Sequence, residues 1–214
     1  MSTFFNYLWI GLAALITITF HEVSHGFIAY KLGDSTAKGL GRLSLNPLKH
    51  IDILGLIMLI VAGFGWAKPV PVNMRNFKNP KQGMAITALA GPVSNLILAF
   101  VALFFLAALS PFENVIVSYI DNFLFILANI SVGLGIFNFI PIPPLDGAKF
   151  LFSLFPDNVY SKVLQYERFG MVALLIILNT GIMSSFLSNV RSVVIYVLWV
   201  LASSPFQWLY GIIF

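Results

Sequence analysis

The chain contains no cysteine. Disulfides and thiolate metal sites are therefore excluded, and any zinc must be held by histidine and carboxylate. Charge is almost as scarce. Of 214 residues only 9% are charged, against 59% hydrophobic, where a soluble domain carries about 25% charged residues. No soluble domain of ordinary size fits this composition. The chain reads instead as an integral membrane protein with room for several crossings of about 20 residues each. Its start, Met1-Ser2-Thr3-Phe4-Phe5, lacks both a basic n-region and a small-residue cleavage site. The first apolar run is thus expected to be a retained helix, not a removed signal peptide. There is no internal repeat and no low-complexity tail. The net charge is +4, but basic clusters in so apolar a chain point to the cytoplasmic membrane face, not to nucleic acid.

What is present stands out against this background. His21-Glu22-Val23-Ser24-His25 lies inside an apolar run whose preceding residues, Leu8 to Phe20, carry no charge. On a helix the two imidazoles fall about 40° apart around the axis and about 6 Å apart along it, on one face. That spacing suits two ligands of one Zn²⁺, with Glu22 beside them as base for a metal-activated water. Ionisable groups within an apolar span are costly and usually functional.

The apolar runs organise the rest. A first helix is expected over about Phe4 to Tyr30. A polar, glycine-containing stretch covers Lys31 to Asp52, and a short apolar run Ile53 to Trp66. Lys68-Pro69-Val70-Pro71-Val72-Asn73 reads as extended chain, because each proline fixes its own φ and restricts its neighbour. Long apolar runs follow at about Met84 to Leu109 and Phe123 to Ile140, ended by Pro141-Ile142-Pro143-Pro144. Lys149 to Arg168 is mixed and expected at the interface. Phe169 to Leu187 and Val193 to Phe214 give two further candidate spans. Eight of the twelve basic residues lie between Lys31 and Lys81, which places that segment in the cytoplasm. Glu113 and Asp121 mark an outward loop. With about five spans, the amino terminus is outside and the carboxyl terminus inside.

Two histidines leave zinc short of ligands, since a catalytic site usually has three protein ligands and an open position. The second long run travels outward and the third returns, bringing Asp146 to the depth of His21 and His25. This holds only if Ile53 to Trp66 does not cross. A full crossing would put Asp146 roughly 30 Å away. The glycines and short length of that run favour a re-entrant or β-like segment. Asp34 and Asp52 are expected to be solvated in the cytoplasmic loop, His50 to be interfacial, and Lys38, Arg42 and Lys49 to be solvated or lipid-facing. Asp146 has a second reading as an ordinary helix N-cap after a proline turn. Gly91-Pro92 has a reading as a kink with close helix packing. Trp199, Phe206, Trp208, Tyr210 and Phe214 read as interface anchors.

The His21–His25 motif, together with Asn138-Phe139-Ile140-Pro141-Ile142-Pro143-Pro144-Leu145-Asp146-Gly147, resembles the site-2 protease family of intramembrane zinc metalloproteases. Further matches are Gly41 to Pro47, Gly65 to Asn73, and Gly91-Pro92-Val93-Ser94-Asn95. The resemblance runs from about Leu12 to Phe150. It implies one Zn²⁺ on His21, His25 and Asp146, Glu22 as general base, and a three-helix catalytic core. It also implies cleavage of transmembrane segments of other proteins, often membrane-tethered regulators. Many relatives carry a PDZ or CBS domain, for which these residues leave no room.

The expected architecture is all-α and polytopic, a single membrane metalloprotease domain over 1–214. Its catalytic core covers about 4–150 and its additional helices about 165–214. The expected partners are the bilayer and a transmembrane protein substrate; the sequence sets no oligomeric state. Asn138, and less directly Asn95, are candidates to donate to a developing oxyanion or to the substrate backbone. Equally, both residues could bond neighbouring helices. A substrate helix must unwind before attack, and the Lys68–Asn73 strand could pair with it. The competing function is a metal-binding or zinc-transporting membrane protein, which would use the same ligands without needing Glu22.

Overall fold

The computed structural model describes residues 3–62, 65–112, 114–179 and 181–213. Among these residues the fold is built of helices without a named strand. Helix α1 spans Thr3–Lys31 and a single turn, α2, Thr36–Gly39. Helices α3, Ile53–Ala62, and α4, Pro80–Leu109, follow. Next come α5, Val115–Phe139, and α6, Asp146–Phe152. Helices α7, Asp157–Gln165, α8, Glu167–Asn179, and α9, Ile182–Ile213, complete the chain. Among the described residues four helices are long and apolar enough to cross a bilayer: Phe5–Lys31, Pro80–Leu109, Val115–Phe139 and Met183–Gln207. An all-α polytopic membrane fold follows.

The segment between the first two long helices settles the parity question posed by the sequence. Helix α3 has ten residues, about 15 Å of rise, half of a ~30 Å hydrocarbon core. Its flanks meet: Ile51 and Ala67 form an antiparallel bridge, and Lys68 N–H donates to the His50 carbonyl at 2.9 Å. The chain leaves and returns at one place, so this stretch makes no crossing.

Two expected boundaries shift. Helix α5 begins at Val115, well before Phe123, because Asn114 caps it: its side-chain oxygen accepts from Val117 N–H at 2.9 Å. The polar residues Ser118, Asp121 and Asn122 therefore belong to a helix, not a loop. At the other end, the runs expected at 169–187 and 193–214 are divided differently. Gly181 adopts a positive φ of 72°, after which α9 continues unbroken through Ser188 and Arg191. Ser192 returns its hydroxyl to the Ser188 carbonyl at 3.0 Å, keeping this polar patch helical. Helix α8, at 13 residues, is about 20 Å long and does not reach across a membrane. Glu113 and the side chains of Trp208, Tyr210 and Phe214 lie outside the described residues.

The chain forms two compact units. One comprises the described residues up to 17, 95–137 and those from 177 onward. Its core is small: Ala13, Ala99, Ala102, Ala128 and Ala202 are buried with Leu103, Leu127 and Val132. Large apolar side chains such as Leu8, Ile97, Phe105 and Phe125 point outward. Small residues inside and large ones outside are what helices in lipid require, since close backbone approach drives their association. Buried Thr17 and Ser131 share a hydroxyl hydrogen bond of 2.9 Å. Trp199 packs against this core, and the Phe206 ring lies 4.9 Å from that of Phe104. The second unit, residues 18–94 and 138–176, contains the metal-ligand candidates.

Candidate metal centre

Helix α1 places His21 and His25 one turn apart, and their Nε2 atoms lie 3.0 Å from one another. Asp146 approaches from the start of α6. Its Oδ2 is 3.1 Å from His21 Nε2 and 3.1 Å from His25 Nε2. All three side chains are buried to within about a tenth of full exposure. The N-cap reading of Asp146 does not hold, for Leu145 occupies the cap position and no side-chain capping bond is made. The carboxylate is turned to the imidazoles instead.

A turn with a tight approach allows this. A Cβ on Gly147 would lie 2.7 Å from the Ile140 carbonyl oxygen and closer still to that of Phe139. Only glycine lets the chain double back from the end of α5 and present its neighbour's carboxylate. Helix α4 makes an equally close approach from another side. A Cβ on Gly91 would stand 2.5 Å from His21 Cε1 and 2.6 Å from His25 Cε1. The Gly91-Pro92 step is thus close packing against the two candidate ligands.

The donor set fits zinc. His25 Nδ1 lies 2.7 Å from the Thr87 carbonyl oxygen. A carbonyl can only accept, so Nδ1 carries the proton and Nε2 turns a lone pair to the centre, the second-layer arrangement that fixes a metal-binding tautomer. Two ligands about 2.0 Å from a tetrahedral ion stand about 3.3 Å apart. The observed edges of 3.0–3.1 Å need only a few tenths of an ångström of opening. The Lys149 ammonium lies 3.7 Å from Asp146 Oδ1 and favours the charged carboxylate that a metal ligand must be.

Glu22 sits between the two histidines in sequence, and its Oε2 accepts from Val70 N–H at 2.7 Å. Val70 lies between Pro69 and Pro71, which have no N–H, so hers is the single amide donor of the three. The strap around it is anchored at both ends. Arg42 Nη2 donates to the Lys68 carbonyl at 2.7 Å, and Asn73 N–H donates to Asp34 Oδ2 at 2.7 Å.

Several loop residues thus differ from expectation. Asp34 is fully buried, not solvated. It accepts from Thr36, Asn73 and Asn76, and these donors outweigh the desolvation that would raise its carboxyl, holding it below its ordinary value. Arg42 is buried, its guanidinium serving the strap. His50 is buried within the protein, its Nε2–H donating to the Ser44 carbonyl at 2.8 Å. Asp52 receives Gly55 N–H at 2.8 Å, capping α3. Lys38 and Lys49 do remain at the surface, on the Tyr30 hydroxyl and the Gly41 carbonyl.

His21, Glu22, His25 and Asp146 therefore come together in one unit. Asn138 belongs to the same unit, at the penultimate position of α5 and partly exposed. Asn95 is fully buried in the other unit. The support from Thr87, Val70 and Lys149, and what Gly91 packs against, were not read from the sequence. The lone amide between two prolines, and a lysine three residues beyond Asp146, were the signals available.

Residues 108–178 match the family model of peptidase family M50. Over 195 residues the chain is 40% identical to "Putative zinc metalloprotease YwhC" of Bacillus subtilis, covering 89% of this chain and 84% of that protein. "Putative zinc metalloprotease Rip2" of Mycolicibacterium smegmatis is 30% identical over 172 residues, 78% of this chain and 64% of the relative. "Putative zinc metalloprotease MJ0611" of Methanocaldococcus jannaschii is 36% identical over 133 residues, 62% of this chain and 63% of the relative. The chain thus spans just under two thirds of each of these last two. No solved structure matches it. With the extent of the first match and motifs that resemble the site-2 proteases, the chain belongs to peptidase family M50.

Proposed function

We propose that the protein is an intramembrane zinc metalloprotease that hydrolyses peptide bonds within transmembrane segments of other membrane proteins. The observation that carries this reading is the meeting of His21, His25 and Asp146 within 3.1 Å of one another, with Glu22 on the same helical turn. These three side chains would hold one Zn²⁺, which supplies a Lewis acid and an acidified water when bound. The relatives' names as zinc metalloproteases support the choice of metal.

Glu22 is the general base. Val70 N–H holds Oε2, leaving Oε1 to take the proton from water and pass it to the leaving amine. Asn138 is proposed to contact the oxyanion or the substrate backbone, with Asn95 as a weaker candidate for the same role. The substrate helix must open locally, because its carbonyls are already hydrogen-bonded. The strap at 68–73 would then receive the opened segment. Within 69–71 it has carbonyls to present but no amide left, so substrate N–H groups would be what it binds. The basic loop at 31–81 sets the site toward the cytoplasm and the amino terminus outside. Four crossings, where five were expected, would return the carboxyl terminus to the outer face. Cysteines introduced singly at either end of this thiol-free chain would test this by labelling from intact cells; protection of both would refute it.

The decisive assay uses a single-span membrane protein cleaved in reconstituted vesicles. Cleavage is expected to be lost on chelation, restored by Zn²⁺, and lost again in Glu22→Gln with metal still bound. Full cleavage by Glu22→Gln would remove the mechanism.

A further inference from the structure

The two oxygens of Asp146 are differently occupied. Oδ2 faces both imidazoles at 3.1 Å. Oδ1 faces the Lys149 ammonium at 3.7 Å. Asp146 opens α6 and Lys149 lies in its last turn, three residues on, so helical spacing keeps the two side chains on one face. The pair is largely withdrawn from solvent, with the lysine side chain 28% and the aspartate 12% exposed.

A carboxylate can meet a cation through one oxygen or both. With both oxygens it fills a coordination position that a hydrolytic site must leave open for water and substrate. We propose that Lys149 is a positioning residue that confines Asp146 to one-oxygen ligation. The ammonium attracts Oδ1 away from the centre, so the carboxylate presents Oδ2 alone. Its place in the fold agrees with this. The Gly147 turn fixes where the carboxylate arrives, and the imidazole side fixes Oδ2, but among the described contacts only Lys149 addresses Oδ1. The proposal rests on the metal site of the preceding reading and not on proteolysis.

Its test therefore needs no substrate. Full-length protein in detergent, stripped of metal, is titrated with Co²⁺ and read by visible absorption, which is intense for tetrahedral Co²⁺ and weakens as ligands are added. Lys149→Met removes the charge and keeps the bulk. Its Co²⁺ band is expected to fall by about twofold or more as Asp146 closes with both oxygens. Because the chain has no cysteine, Lys149→Cys introduces a single thiol. Alkylation by 2-bromoethylamine, which forms a C–S bond and releases bromide, restores an ammonium of nearly lysine length. The unmodified Lys149→Cys protein is expected to resemble Lys149→Met, and the aminoethylated protein to regain the parent spectrum. Circular dichroism checks that each variant is folded. A Lys149→Met spectrum equal to the parent's, or no recovery on aminoethylation, overturns the role of Lys149 while leaving the metal site intact. A parent protein that binds no Co²⁺ overturns the metal site and this proposal together.

Discussion

Gly91→Ala sets two effects of opposite sign against one another. Alanine in place of glycine within a helix stabilises it by about 0.5–1 kcal/mol. The added methyl, however, would sit 2.5 Å from His21 Cε1 and 2.6 Å from His25 Cε1, where ordinary contact is 3.4–4 Å. Something must move by about 1 Å. The His25 ring cannot retreat freely, since its Nδ1–H is tied to Thr87 O at 2.7 Å, on the helix that carries the new methyl. Breaking that bond costs about 1 kcal/mol, and overpacking typically costs 1–3 kcal/mol, so the unfavourable side prevails. Metal ligation tolerates errors of only about 0.2 Å. Zinc affinity is accordingly expected to fall at least about tenfold, roughly 1.4 kcal/mol, measured by competition against a chromogenic chelator. Unchanged affinity together with a raised thermal midpoint would mean that α4 stands clear of the imidazoles, and the geometry of the centre would be wrong.

Asp34→Asn replaces a four-donor acceptor by an amide that can satisfy only some of them, at an expected cost of about 1–3 kcal/mol near neutrality. Because the folded-state carboxyl of Asp34 lies below its ordinary 3.8, its contribution is complete above that value and disappears as pH falls through the lower folded value. The wild-type thermal midpoint should thus drop more steeply on acidification below about pH 4 than that of Asp34→Asn; superimposable pH profiles would refute this. Gly147→Ala forces a methyl to within 2.7 Å of the Ile140 carbonyl oxygen. It is expected to abolish metal binding while the circular dichroism of the long helices persists. Retained binding would show that the turn has slack.

The long spans and the His21–His25 pair were legible because their signals are local: a continuous apolar run, and a fixed spacing on one helix. Asp146 was reachable by counting crossings, and the count depended on Ile53 to Trp66 not spanning. The loop residues were opaque for the opposite reason. Asp34 is buried only because Asn73 and Asn76, 39 and 42 positions away, deliver donors to it, and no local pattern records that. Arg42 and His50 converge on Lys68 in the same way. The break expected near residue 190 failed because hydroxyls can bond back within their own helix. Gly91 was recognised as a packing position, but what it packs against required three dimensions.

The bridge between Ile51 and Ala67 acts as a neck on the stretch it encloses. The elements of the candidate metal centre are tied to the chain below the neck, through Lys68 and the strap. Residues beyond it expose Ile53, Leu54 and Ile57 and answer mainly to the greasy surroundings. The exposed face of α3 at these residues is therefore where this scaffold could take a new attachment with the least disturbance to its chemistry.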